Sequence, residues 1–207
     1  MLNENDLYTI RMMFRNSIYQ FFRIIFTPLF RFYYHPKIIG AERIPKDGSV
    51  ILAGNHKHAF DPLLVDICTR RTVHALAKSE LFEGLFGFFF YGIGAIPVYL
   101  DAPKNPDAYA KAKETLKNGE IINISPEAER NYTEKILLPF KTGAVRLAME
   151  TETRILPYCI VGEYRFRSKN LRIVFGDPME IHETEVPAAN EHLYRNIEKL
   201  LKENGKI

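Results

Sequence analysis

The chain has 207 residues, 46% of them hydrophobic and 26% charged, with a formal net charge of +3. That length suits one main domain with a substantial core, and the apolar fraction excludes wholesale disorder. The mild net charge identifies no partner, and the 2 cysteines are too few for a disulfide framework. Cys68 and Cys159 lie in apolar runs and are expected to be buried thiols in a reducing compartment.

The distribution of charge says more than its sum. Between Leu7 and Gly40 the charged residues are Arg11, Arg15, Arg23, Arg31 and Lys37, with no acidic residue. The same stretch carries Phe14, Tyr19, Phe21, Phe22, Phe26, Phe30, Phe32, Tyr33 and Tyr34. Cationic heads on an aromatic-rich segment suit the interface of an anionic bilayer, so residues 1–38 are read as amphipathic membrane-interface helices. Arginines interrupt the segment well short of the roughly 20 apolar residues that a spanning helix needs. Pro28 is expected to kink or split it. The aromatic crowding of this segment, without further basic clusters in it, argues against a nucleic-acid partner.

Residues 39–207 read as an α/β domain: a single largely parallel or mixed sheet flanked by helices. Val50–Gly54 is a short apolar strand, followed by a helix over Pro62–Thr69. Strands are expected at Thr72–Ala77 and Gly94–Tyr99, the latter at an edge because of Pro97. Between them Ser79–Tyr91 is an apolar stretch with Ser79 as its N-cap. Pro106–Asn118 is a helix with proline at its start and Gly119 just past its end. Then come a strand at Glu120–Ile124, a helix at Thr142–Glu150, and strands at Ile155–Val161 and Leu171–Phe175. A last amphipathic helix runs over Ala188–Glu203, with Leu193, Ile197, Leu200 and Leu201 on one stripe.

Two segments carry chemistry. The first, Asn55-His56-Lys57-His58-Ala59-Phe60-Asp61-Pro62, follows the strand exit at Gly54. Imidazole is suited to accept a proton near neutral pH, and a neighbouring carboxylate fixes its tautomer. Asp61 before Pro62 also fits a helix N-cap. The second segment, Ser125-Pro126-Glu127-Ala128-Glu129-Arg130, brings carboxylates and a guanidinium to the end of another strand. His56, His58 and Asp61 lack further ligands at convincing spacing, so no metal is expected. Gly84 and Gly87 would let a lipid approach the phenylalanines of Phe82–Phe90 closely.

With these residues in place, the chain resembles the glycerolipid acyltransferase family. The family's asparagine-histidine-x4-aspartate motif is matched by Asn55, His56 and Asp61, and its glycine-x-isoleucine-proline-valine by Gly94, Ile96, Pro97 and Val98. Its third motif corresponds to Ser125–Arg130, followed by Pro139-Phe140-Lys141-Thr142-Gly143, and its fourth to Ile155-Leu156-Pro157-Tyr158. The resemblance covers roughly residues 40 to 180 and keeps the motifs in order.

The resemblance implies an enzyme of phospholipid biosynthesis, moving an acyl group from an acyl-carrier-protein or coenzyme A thioester to a lysophospholipid hydroxyl. The implied acceptor is 1-acylglycerol-3-phosphate, giving phosphatidate, with no bound cofactor. His56 would be the general base and Asp61 its orienter, while Asn55, Lys78, Glu127, Arg130 and Lys141 would bind substrate. The implied location is peripheral, on the cytoplasmic face of the cell membrane. Ser125, Ala128 and Glu129 depart from the family pattern, and Tyr99 and Leu100 stand where an arginine is usual. These departures leave room for a different lysolipid or an amino-acid-derived lipid acceptor. A non-catalytic membrane protein retaining the fold is a further reading, against which the His56–Asp61 pair speaks.

Overall fold

A computed structural model describes residues 4–84, 87–99 and 105–205, with the side chains of the first helix described from Ser17 onward. The expected contributions of Arg11, Phe14, Arg15, Phe86 and Leu100 fall outside that description.

The strands form one seven-stranded sheet: β1 (Lys37–Ile39), β2 (Val50–Gly54), β3 (Val73–Lys78), β4 (Ile96–Val98), β5 (Ile121–Ile124), β6 (Ile155–Val161) and β7 (Arg172–Phe175). Their order is β1-β7-β6-β2-β5-β3-β4, parallel throughout except for the antiparallel β6–β7 pair. Residues of β2, β5 and β6 are buried on both faces, which explains why they read as unbroken apolar runs. Ile51 and Ala53 face α4 (Pro106–Lys117), α5 (Gly143–Thr151) and α6 (Val186–Asn204), meeting Leu116, Val145 and Ile197 in one core. Leu52 and Ile160 face the other way, toward Phe30 of α1 (Glu4–Tyr34) and Leu64 of α2 (Asp61–Asp66).

Several expectations are corrected. The N-terminal segment is one helix, α1, continuous through Pro28, rather than a split pair. The ring removes one internal bond, but Pro28 and Ile24, whose carbonyl loses that partner, are both exposed, so the cost stays small. The helix is also tied to the domain: Gln20 Nε2 donates to the Arg70 carbonyl at 3.1 Å, and Arg31 Nη2 to the Ile67 carbonyl, also at 3.1 Å. β1 was not foreseen, and it carries the chain straight from α1 into the sheet beside β7. Ser79 caps no helix; Ser79–Phe82 is a single 3-10 turn, and α3 (Gly87–Gly92) begins separately beyond Gly84, whose φ is +71°. No helix among the described residues is long and apolar enough to cross a membrane.

Candidate active site

β2 and β5 are parallel neighbours, so their carboxyl ends emerge side by side. The two segments singled out above therefore lie at one edge of the sheet, where open α/β folds place their sites. His56 Nδ1 lies 2.9 Å from Asp61 Oδ2, and since a carboxylate only accepts, the Nδ1 proton belongs to the imidazole. Nε2 is left as the lone-pair nitrogen.

Asp61 is not the N-cap that its place before Pro62 suggested. It is the first residue of α2, Phe60 stands at the cap, and no side-chain cap bond forms. The carboxylate turns back on its own loop. Oδ2 also accepts the amides of Lys57 at 2.7 Å and His58 at 2.8 Å, while Oδ1 accepts the Tyr164 hydroxyl at 2.7 Å. These donors supply locally what solvent would otherwise provide to a carboxylate that is 1% exposed.

The second segment braces the first. Glu127 Oε1 accepts the His56 amide at 2.9 Å and Oε2 the Leu138 amide at 2.7 Å. Burial raises the Glu127 pKa, and the two amide bonds offset only part of that rise. The His56 carbonyl in turn accepts the Asn131 amide at 2.8 Å, so the histidine's backbone is held at both polar atoms. Asn55 works inward as well: its side chain donates to the Ile160 carbonyl at 3.0 Å and accepts the Ile160 amide at 2.7 Å, pinning the strand exit to β6. The polar atoms of Asn55 and Glu127 are thus committed to the chain itself.

The expected phosphate contacts stand outside this network. Lys78, exposed at the end of β3, pairs with Glu80 at 2.8 Å. The Arg130 guanidinium sits 5.4 Å from the Tyr132 ring centroid. Lys141 is exposed and gives its amide to the Pro126 carbonyl at 2.8 Å. Glu129 is exposed beside Arg130, and Ala128 adopts the left-handed backbone at φ +60° where the family pattern has glycine.

Sequence reasoning missed Tyr164 and Lys57. Burial, then the adjacent Asp61 charge, raise the Tyr164 pKa, so its hydroxyl keeps the proton it donates. Lys57 Nζ donates to the Gly162 carbonyl, and burial lowers its pKa despite the nearby Asp61 and Glu163 carboxylates. The available signal for Tyr164 was its place just beyond the Ile155–Val161 strand. His58 stacks on the Tyr164 ring, with centroids 4.3 Å apart and planes at 18°, and its Nδ1 accepts the Phe60 amide at 3.2 Å.

Residues 35–161 match the family model described as Acyltransferase. A 1-acyl-sn-glycerol-3-phosphate acyltransferase of Borreliella burgdorferi is 32% identical over 147 residues, covering 70% of this chain and 58% of its own length. The alpha form of that enzyme from Mus musculus is 27% identical over 141 residues, covering 66% and 48%. The chain thus spans about half to three fifths of the length of these curated relatives. The crystal structure of the 1-acyl-sn-glycerophosphate (LPA) acyltransferase PlsC from Thermotoga maritima matches in fold, with a TM-score of 0.71 at 22% identity over 98% of this chain and 83% of that one. The His56–Asp61 pair and its Glu127 brace lie wholly within residues 35–161, and this chain belongs to the acyltransferase family.

Proposed function

We propose that this protein transfers a fatty acyl group from an acyl thioester to the free hydroxyl of a lysophospholipid, with 1-acylglycerol-3-phosphate as acceptor and phosphatidate as product. The observation that carries the reading is the 2.9 Å contact between His56 Nδ1 and Asp61 Oδ2 at the exit of β2. His56 Nε2 takes the acceptor's hydroxyl proton as the oxygen attacks the thioester carbonyl, and Asp61 stabilises the imidazolium that forms. Collapse of the tetrahedral intermediate breaks the carbon–sulfur bond. The imidazolium proton goes to the departing thiolate, leaving a diacyl lipid and the free thiol of the carrier. General-base assistance supplies about 10²–10⁴-fold, and acceptor positioning supplies much of the rest.

Coenzyme A or acyl-carrier protein serves as donor carrier, and Arg130, Lys78 and Lys141 supply cations for the acceptor phosphate. The protein works peripherally, on the cytoplasmic face of the cell membrane, with residues 1–38 as its interfacial segment and the sheet domain as its catalytic unit. The outer face of α1 supports this reading: Ile24 is 73% exposed and Phe32 63% exposed, with Phe21 and Leu29 on the same side.

The exposed Glu129 beside Arg130 favours a second reading, in which the acceptor carries less negative charge than a phosphate monoester. An acyl-transfer assay with a panel of lysolipid acceptors tests both. Transfer lost in His56→Ala, with folding and vesicle binding retained, supports the base role, and turnover surviving in that variant removes it. If phosphate is the natural headgroup, Glu129→Thr lowers the KM for 1-acylglycerol-3-phosphate; if it is not, that change leaves the preferred acceptor's KM unimproved.

A further inference from the structure

The loop between β6 and β7 departs from ordinary surface composition. It places Phe166 outward at 56% exposure, among the exposed cations Arg165, Arg167 and Lys169, with Glu163 as the acidic residue of the turn. Arg165 pairs with Glu163 at 3.4 Å, and both side chains are largely exposed, so the pair contributes little.

An exposed phenylalanine on a slack loop means little. This loop is held. The Arg167 amide donates to the Tyr33 carbonyl at 2.6 Å, with Arg167 itself in the left-handed region at φ +49°. The Glu163 amide donates to Asn170 Oδ1 at 3.2 Å, and the Leu171 amide to Ser168 Oγ at 3.1 Å. A left-handed non-glycine residue costs about 1–2 kcal/mol, and these bonds hold the backbone in that form with an apolar ring left in water. The Phe166 ring meets the Tyr33 ring edge-on at 5.2 Å, which makes it continuous with the exposed end of α1. Tyr34 connects the same aromatic group to Phe60, the residue before Asp61, with ring centroids 6.0 Å apart.

We propose that the β6–β7 loop is a second bilayer-docking element, inserting Phe166 at the lipid interface while Arg165, Arg167 and Lys169 meet anionic headgroups, and so seating the edge of the His56–Asp61 site on the membrane. The proposal rests on the reading of α1 as an interfacial helix and extends that surface to the rim of the site. Charge complementarity commits the loop to anionic lipid: the cations bracket an aromatic ring, the pattern that an interface of acidic headgroups over hydrocarbon rewards.

The chain has 0 tryptophans, so Phe166→Trp in the full-length protein gives a unique fluorophore, and Phe21→Trp gives a second single-tryptophan protein reporting on α1. Each is mixed with vesicles of phosphatidylglycerol and phosphatidylcholine, with binding followed independently by co-sedimentation. The expected result is a blue-shifted emission at position 166, with quenching by lipids brominated near the top of the acyl chain. Arg165→Glu combined with Lys169→Glu should lower partition into anionic vesicles on the order of tenfold and leave turnover of a water-soluble short-chain acceptor unchanged. A shift at position 21 without one at position 166 overturns the loop proposal and leaves the α1 reading standing. Failure of the wild-type protein to sediment with vesicles overturns both. A shift at position 166 produced by acidic acyl-carrier protein, but not by vesicles, assigns the loop to a protein partner and overturns the proposal.

Discussion

Tyr164 reaches Asp61 across 103 residues of chain and donates its hydroxyl to Oδ1 at 2.7 Å. The oxygen it serves is the one that His56 does not use, so the two side chains hold the carboxylate from opposite ends. In Tyr164→Phe that oxygen loses this donor in a buried place, a loss of about 1–3 kcal/mol. We expect kcat to fall roughly tenfold while the KM for acceptor stays near its original value, because the ring and its packing remain. A steady-state comparison of the two parameters checks this. A fall in thermal stability with kcat unchanged would make the hydroxyl purely structural.

Asn55→Ala removes both bonds to the Ile160 backbone and leaves a buried amide and carbonyl without those partners. The expected destabilisation is about 2–3 kcal/mol, or roughly 5–10 °C in Tm for a chain of this size. Asn55→Asp keeps the acceptor for the Ile160 amide but turns a buried carboxylate oxygen toward the Ile160 carbonyl, so it should recover no stability. Calorimetric scans of the three proteins measure the effect.

Ala128 carries a side chain at φ +60°, where only glycine is unstrained. Ala128→Gly should raise stability by about 0.5–1 kcal/mol, the relief of strain exceeding the added freedom of the unfolded chain. The residue is exposed, so no packing is lost. Chemical denaturation with an unchanged m-value and a higher midpoint is the expected outcome.

Asp66 lies at the contact of α2 with α1, beside a cavity of about 50 Å³ that Tyr19, Arg23, Thr27 and Phe30 help to line. Burial pushes its pKa up to about 7, against smaller opposing effects of Tyr19 and Arg23, and its Oδ1 has no hydrogen-bond partner. The sign follows from proton counting. Between the unfolded value near 3.8 and the folded value of about 7, the folded protein holds a proton that the unfolded chain has released. Stability therefore falls as pH rises through that window and levels off above it. Asp66→Asn should abolish this slope and raise Tm at pH values above 7 by several degrees, while leaving stability at acid pH nearly unchanged. Melting curves taken across the pH range for both proteins decide it.

The division between what was legible in the sequence and what was not follows contact range. His56 and Asp61 are five positions apart on one strand exit, so residue types and spacing reveal them. β2, β5 and β6 announced themselves because each is buried on both faces. Tyr164 had only its place just beyond the β6 strand to mark it, because its role depends on β6 pairing with β2, a relation that no local pattern encodes. The backbone bonds of Asn55 and Glu127 were not legible either, because a polar residue in a motif looks the same whether it faces substrate or backbone. β1 escaped notice for a different reason: three residues are too few to show a period.

One constraint on the future of this sequence follows from Gly54. A Cβ placed there would lie 2.2 Å from the Tyr158 ring, and Tyr158 is held in turn by its hydroxyl bond to Asn123 at 3.0 Å. The strand end that delivers His56 therefore admits no side chain, while Ala128, Glu129 and Arg130 lie exposed on the neighbouring turn. A substitution on that turn meets no such barrier, so it can alter the exposed surface there while the strand end that carries His56 stays in place. On the proposed function, the fold is thus open to evolution in one direction: a change of clientele at the turn asks for no change of chemistry at the strand exit.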